Sequence, residues 1–258
     1  MAELVRAIVA TVRSAAAYLS VLLWVLILGP IGMFLAYVLR RPEILYALGR
    51  GGVRLGLAAA GIRFTAAGGN HVQVRRGAVY CANHSSNLEP PIIYMALSAI
   101  HPRLKILYKA ELRAALPVLR NAFDLVGFVP IERGNRDQSA GAIDRAAAAL
   151  AAGDSFMIFP EGTRSRTGRL LPFKKGGFVM AIKGRAPIVP VAVQGADAAM
   201  RKGSPVIRPV TVRVQIGEPI PVDDLELADR NPLIDRTRRA IEALLAGRSG
   251  PFGGAIRR

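Results

Sequence analysis

Phe156-Met157-Ile158-Phe159-Pro160-Glu161-Gly162-Thr163-Arg164-Ser165-Arg166, then Lys174-Lys175-Gly176-Gly177-Phe178, then Ile188-Val189-Pro190-Val191-Ala192-Val193, is the stretch that decides the fold. Two apolar, β-rich runs, Phe156 to Phe159 and Ile188 to Val193, enclose a helical pattern around Gly177 to Lys183. Parallel strands require a crossover of this kind, whereas antiparallel ones can be joined by a tight turn. Working outward, Ile62 to Thr65, Val72 to Val74, Val79 to Ala82, Leu104 to Tyr108, Val126 to Ile131 and Val210 to Ile216 also read as strands. Helical stretches lie around Pro91 to Ala99 and Arg136 to Ala151, and Asp229 to Leu245 reads as a terminal helix. Such alternation predicts an α/β sheet with helices packed on it.

Ahead of this core stands an uncharged run of 25 residues, Ala15 to Leu39. As a helix it reaches ~38 Å against a hydrocarbon core of ~30 Å, long enough to span a bilayer. Gly29-Pro30 interrupts it, which leaves two geometries open: a kinked span, or a re-entrant hairpin lying in one leaflet. A secretory signal peptide fits less well, because the apolar run exceeds the usual ~7–15 residues. Arg40-Arg41 also follows it where a small-residue cleavage site belongs. Glu43 to Ala60 continues as a helix leading off the membrane, and the tail from residue 247 is Gly-rich, basic and expected to fray. The division expected is 1–60 membrane-associated helices, 61–246 an α/β domain, and 247–258 a flexible tail.

The 258 residues are 52% hydrophobic, which argues against disorder, and a single cysteine, Cys81, excludes an intrachain disulfide framework and a cysteine-rich zinc site. A formal charge of +17 favours anionic partners: nucleic acid, anionic lipid or phosphorylated substrate. Up to Ala60 there are six Lys/Arg and two Asp/Glu, so +13 belongs to the remainder. Arginines flank both ends of the apolar run and suit anionic headgroups without fixing a direction of crossing.

Chemistry is expected where strands end. Val79-Tyr80-Cys81-Ala82 runs into Asn83-His84-Ser85-Ser86-Asn87-Leu88-Glu89-Pro90-Pro91. Positions five apart on one helix point ~140° away from each other, so His84 and Glu89 need a loop to meet. Pro90 biases Glu89 away from helix, Pro91 suits a first turn, and Ser86 or Asn87 can bond the early amides. If the side chains meet, the carboxylate holds one imidazole nitrogen as N–H and leaves the other as a general base suited to acyl transfer to a hydroxyl. The alternative is a histidine that merely bonds a turn beside a solvated glutamate.

From Pro160 to Arg185 there are seven Lys/Arg and one acid, the densest cationic stretch of the chain. The helix start at Lys174-Lys175-Gly176-Gly177, with an arginine such as Arg164 nearby, suits a phosphate. Glu161 is read as orienting Arg164 or bonding a ligand hydroxyl. A solvated basic loop is the alternative. Arg133, at the end of Val126 to Ile131, is either another phosphate contact or a plain turn residue, and Ile188 to Val193 reads as a buried strand that shapes a pocket.

The order of these four segments resembles the glycerolipid acyltransferase family, in particular the bacterial-type 1-acyl-sn-glycerol-3-phosphate acyltransferases. Those enzymes carry NHxSxxD, a phenylalanine-isoleucine-arginine-like block, FPEGTRS and a proline-bearing apolar strand. The resemblance covers roughly Val79 to Gln194; it departs at Glu89, where the family normally has aspartate. It implies a mixed, largely parallel sheet flanked by helices, with an N-terminal membrane-associated segment on the cytoplasmic face of the cell inner membrane. It also implies transfer of a fatty acyl group from acyl-CoA or acyl carrier protein to the sn-2 hydroxyl of lysophosphatidate. His84 is then the base and Glu89 its orienter. Arg164, Thr163, Gly162, Glu161 and Arg133 make the substrate site, with Lys109 or loop amides as the oxyanion donor. No cofactor is expected, the thioester being a substrate. Glycerol 3-phosphate, another lysophospholipid and a lyso-ornithine lipid are alternative acceptors, and a non-catalytic anionic-lipid-binding protein is the alternative class.

Other chemistries fit less well. No G-x-S-x-G elbow supports Ser85 or Ser86 as a nucleophile. His71, His84 and His101 lack a paired metal-ligand pattern. Asn83-His84-Ser85 matches a glycosylation sequon by chance on a cytosolic reading. Aromatics at 6%, few of them among basic residues, disfavour nucleic acid.

Overall fold

The computed structural model of the protein describes residues 2–111, 117–132, 136–247 and 255–256. The elements are α1 (Ala2–Val38), α2 (Glu43–Ala60), β1 (Arg63–Ala67), β2 (Val79–Ala82), α3 (Glu89–Ala96), β3 (Leu104–Lys109), α4 (Pro117–Leu125), β4 (Val129–Ile131) and α5 (Arg136–Ala151). They continue with β5 (Ser155–Ile158), α6 (Gly176–Lys183), β6 (Ile188–Gln194), β7 (Thr211–Ile216), α7 (Arg230–Leu245) and β8 (Ala255–Ile256). The sheet order is β4-β3-β5-β2-β6-β7-β1-β8. The five strands from β4 to β6 are parallel, and β7 joins β6 antiparallel and β1 parallel. The sheet is therefore mixed and largely parallel, with helices on both faces.

Alternation along the central strands assigns each side chain to a layer. Tyr80, Ala82, Met157, Val189, Val191 and Val193 pack with Leu57, Ile92 and Ile93 on one face. Val79, Cys81, Phe156, Ile158 and Ile188 pack with Leu150, Phe178, Leu233 and Ile241 on the other. All four residues of β2 are wholly buried, as a parallel strand covered on both sides requires. Three expectations are corrected. Val72 to Val74 forms no strand: a 3-10 turn at Gly69–His71 precedes it and it continues as a bend. The run from Val126 yields only Val129–Ile131, because α4 occupies the preceding residues and Gly127 turns the chain at φ +75°. Within the tail expected to fray, Ala255–Ile256 pairs with β1.

At the N-terminus, of the two geometries left open at Gly29-Pro30 the re-entrant hairpin is not formed, because Pro30 lies inside one continuous 37-residue helix. Proline removes a single backbone bond there, and α2 packs antiparallel along the helix. Val21 meets Gly56, Trp24 lies over Gly51 and Gly52, and Leu48 meets Gly32. Trp24 Nε1 donates to Leu48 O at 3.1 Å. A stripe of Ala10, Ser14 and Ala17 is buried, while Ile8, Leu19, Leu22, Leu26, Ile27 and Phe34 are among the large apolar residues left exposed. Only 11% of the most apolar window of α1 is buried, and the helix is long and apolar enough to cross a membrane.

Candidate active site

Because β3, β5, β2 and β6 are parallel, their C-terminal ends share one edge of the sheet. The turn after β2 is pinned at its root: Asn83 Nδ2 donates to Val193 O at 3.0 Å, and Val193 N donates to Asn83 Oδ1 at 2.7 Å. Asn83, the asparagine of the chance sequon match, is itself buried.

His84 follows, and the loop after β5 takes both of its backbone groups. His84 N donates to Glu161 Oε1 at 2.7 Å, and Ser165 N donates to His84 O at 2.7 Å. The imidazole stacks on Phe159, with centroids 4.1 Å apart and planes 27° apart. Its Nδ1 lies 2.7 Å from Glu89 Oε2. Glu89 is 0% exposed. Its Oε1 also accepts the Ser85 amide at 2.9 Å and the Ser85 hydroxyl at 2.6 Å. An ionised carboxylate only accepts, so the shared proton belongs on Nδ1 and Nε2 is left with a lone pair. The imidazole side chain is 17% exposed, so that lone pair sits at a partly open edge. The loop that brings the two side chains together ends sooner than expected: α3 starts at Glu89, with Pro90 and Pro91 in its first turn and Leu88 as the N-cap. Ser86 Oγ accepts Leu88 N at 3.3 Å.

Glu161 is 3% exposed and ties two backbone amides, its second oxygen accepting Leu171 N at 2.8 Å. Burial pushes its carboxyl above the usual range, against the pull of the Leu171 and His84 amides. Gly162, Thr163 and Arg164 make the turn between Glu161 and Ser165, so the expected phosphate residues do lie beside His84. Gly162 sits at φ +68°, and a Cβ there would lie 2.7 Å from Lys174 Cε. Gly177, by contrast, serves packing: a Cβ there would collide with Ile158 Cδ1, so α6 rests closely on β5.

Lys109 ends β3 on the same sheet edge, but its side chain lies outside the described residues, and Arg133 lies outside them altogether. Two features were missed from the sequence. Lys202 Nζ lies 2.8 Å from Arg164 O and 3.5 Å from Thr163 Oγ1, adding a cation to the turn; no motif marks it. A cavity of about 400 Å³, almost wholly apolar, runs between α1, α2, α3 and α4, lined by Trp24, Val25, Tyr94, Phe123 and Phe128, and reaches Pro90 and Pro91, which follow Glu89. Helix-to-helix packing creates it, so no short motif announces it. His71 bonds Ile216 O at 2.9 Å and His101 faces Arg50 at 3.2 Å. No cluster of three or more metal-ligating side chains occurs among the described residues.

The Acyltransferase family matches residues 63–194. A 1-acyl-sn-glycerol-3-phosphate acyltransferase of Cocos nucifera is 33% identical over 223 residues, covering 85% of this chain and 70% of that protein. The human protein 1-acyl-sn-glycerol-3-phosphate acyltransferase beta is 33% identical over 183 residues, covering 70% of this chain and 64% of its own. The crystal structure of the 1-acyl-sn-glycerophosphate (LPA) acyltransferase PlsC from Thermotoga maritima superposes with a TM-score of 0.77 at 23% identity, covering 93% of this chain and 98% of that one. At that identity the likeness speaks for the fold.

Proposed function

This chain belongs to the acyltransferase family, and from that premise we propose that it moves a fatty acyl group from a thioester of CoA or acyl carrier protein to the sn-2 hydroxyl of lysophosphatidate, giving phosphatidate. The observation that carries the reading is the 2.7 Å contact between His84 Nδ1 and buried Glu89, beside a cationic turn bonded to the same histidine's backbone. His84 Nε2 takes the hydroxyl proton as the lipid oxygen attacks the thioester carbon. The resulting oxyanion collapses, the C–S bond breaks, and the departing thiolate takes the proton from the imidazolium. A base of this kind contributes typically 10²–10⁴-fold. Glu89 holds the ring and its tautomer; no acyl-enzyme is formed.

Gly162, Thr163 and Arg164 supply amides and a guanidinium for the acceptor's phosphate, with Arg133 as a further cation. Lys109 or loop amides supply the donor to the oxyanion. The apolar cavity beside Pro90 suits an acyl chain, because its volume lies within the ~300–1,000 Å³ typical of ligand sites and its walls carry few polar groups. The exposed apolar face of α1 supports attachment to a membrane, in our reading the cytoplasmic side of the inner membrane, where a lipid substrate dissolves.

The test is transfer of label from an acyl thioester, CoA-borne or carrier-borne, to lysophosphatidate in membranes carrying the protein. Wild type should form phosphatidate, and His84→Ala should lose at least 10²-fold while keeping its thermal unfolding midpoint. Glycerol 3-phosphate and a lyso-ornithine lipid are run beside it. Turnover retained by His84→Ala sinks the base assignment, and a silent wild type that still binds anionic vesicles favours a lipid-binding protein.

A further inference from the structure

We infer that Arg238, on the C-terminal helix α7, is a positioning residue for His84, acting through Leu171 and Glu161. The inference rests on the reading of His84 as the base. The connection is a continuous chain of hydrogen bonds. Arg238 Nη1 donates to Leu171 O at 2.9 Å and Nη2 donates to Leu170 O at 2.9 Å. Leu171 N donates to Glu161 Oε2 at 2.8 Å, and the other oxygen of the same carboxylate accepts His84 N at 2.7 Å. Three side chains or backbone units thus separate a surface helix from the imidazole.

The fork at the start of this chain is held in place on its remaining sides. Arg238 Nε donates to Glu242 Oε1 at 3.0 Å, one turn along α7, and the guanidinium lies 5.5 Å from the centroid of Phe173. A planar guanidinium holds two successive carbonyls with a rigid fork of donors; an ammonium has three donors but no fixed fork. The grip is needed because residues 166–169, between Ser165 and the anchored leucines, are exposed and irregular. Among the described residues the Leu171 backbone hydrogen-bonds to Arg238 and Glu161, so without Arg238 the bond to Glu161 is what remains of the pair. Release of that amide leaves a buried carboxylate oxygen without a partner, and the carboxylate answers by moving or by taking up a proton. Either event slackens the His84 backbone, and small misplacements of a reacting group are expensive in rate.

The experiment uses the full-length protein in membranes or detergent. Arg238→Ala should lower kcat for acyl transfer about tenfold with little change in thioester KM. It should also move the acid limb of the rate profile to higher pH, because the Leu171 amide favours the ionised form of Glu161. His84 and Glu89 are the titratable groups acting on that carboxyl, and neither is altered by the substitution. Arg238→Lys keeps the charge without the fork and should not rescue. Combined with Glu161→Gln, Arg238→Ala should add less than its separate effect. Hydrogen–deuterium exchange supplies a readout independent of turnover: the amides of Leu171 and His84 should exchange faster in Arg238→Ala, so the relay is judged even if the acceptor is another lipid. If Arg238→Ala does not fold, Arg238→Gln takes its place with the same readouts. An unchanged kcat and acid limb, unchanged exchange at both amides, or full rescue by lysine overturns the inference.

Discussion

Ser85 gives both its backbone N–H and its hydroxyl to the carboxylate of Glu89, at 2.9 and 2.6 Å from Oε1, while His84 occupies Oε2 at 2.7 Å. All the polar groups around this glutamate are donors, so the site is built for a charged acceptor. Glu89→Gln replaces one acceptor with an N–H₂ that opposes a donor, and kcat should fall about 10²-fold or more by analogy with other orienting carboxylates. Ser85→Ala should cost less, several-fold, since the backbone amide remains. Glu89→Asp shortens the reach by one methylene and should lie between the two. Steady-state acyl transfer measures all three.

Asn83 bridges β2 and β6 with two buried hydrogen bonds. Asn83→Ala removes both and leaves Val193 N without this partner, a loss of about 2 kcal/mol. The thermal midpoint should fall by about 4–8 °C for a domain of this size. A midpoint within a degree of wild type would show that water replaces the amide.

Lys202 approaches Thr163 and Arg164 from the loop after β6, and two protein oxygens leave part of its ammonium free. Lys202→Met should raise the lysophosphatidate KM about tenfold, with a smaller effect on kcat. Monoacylglycerol, which lacks the phosphate, should respond equally to wild type and variant. A KM rise shared by both acceptors would assign Lys202 to loop structure alone.

His101 lies against the rings of Tyr46 and Tyr94, at 5.1 and 4.2 Å between centroids, with Arg50 Nη1 3.2 Å from Nδ1. Its Nε2 is buried without a partner. Burial first, and the Arg50 charge second, push its pKa down to about 4. An unfolded histidine titrates near 6.5, so between about 6.5 and 4 the unfolded chain binds the extra proton. Stability from this residue is therefore complete above that window and is lost as pH falls through it. Urea midpoints at pH 7.5 and 4.5 should differ more for wild type than for His101→Asn, and equal differences would refute the assignment.

The strand ends at Ala82 and Ile158 were legible because apolar runs stop abruptly at polar, ionisable residues, and the topology then brings those ends to one edge. What the letters do not carry is burial. Glu161 reads as a partner for Arg164 or a ligand hydroxyl, and its sealing-in against two backbone amides has no signal in the letters. Gly176-Gly177 looks like an anion cradle, yet close packing on Ile143 and Ile158 explains both glycines. Gly29-Pro30 reads as a break, but the packing of α2 along α1 carries the helix through it. Lys202, Arg238 and the apolar cavity arise from segments distant in sequence, where no local spacing connects them.

The first helix also reaches into the domain: Ser14 Oγ accepts Ile207 N at 2.7 Å, and the Tyr18 hydroxyl donates to Pro205 O at 2.7 Å. Those bonds fasten the same loop that delivers Lys202 to Thr163 and Arg164. A truncation designed for easier purification, shorn of α1, would therefore leave the loop that carries Lys202 untethered beside His84, and its kinetics would not describe the parent enzyme.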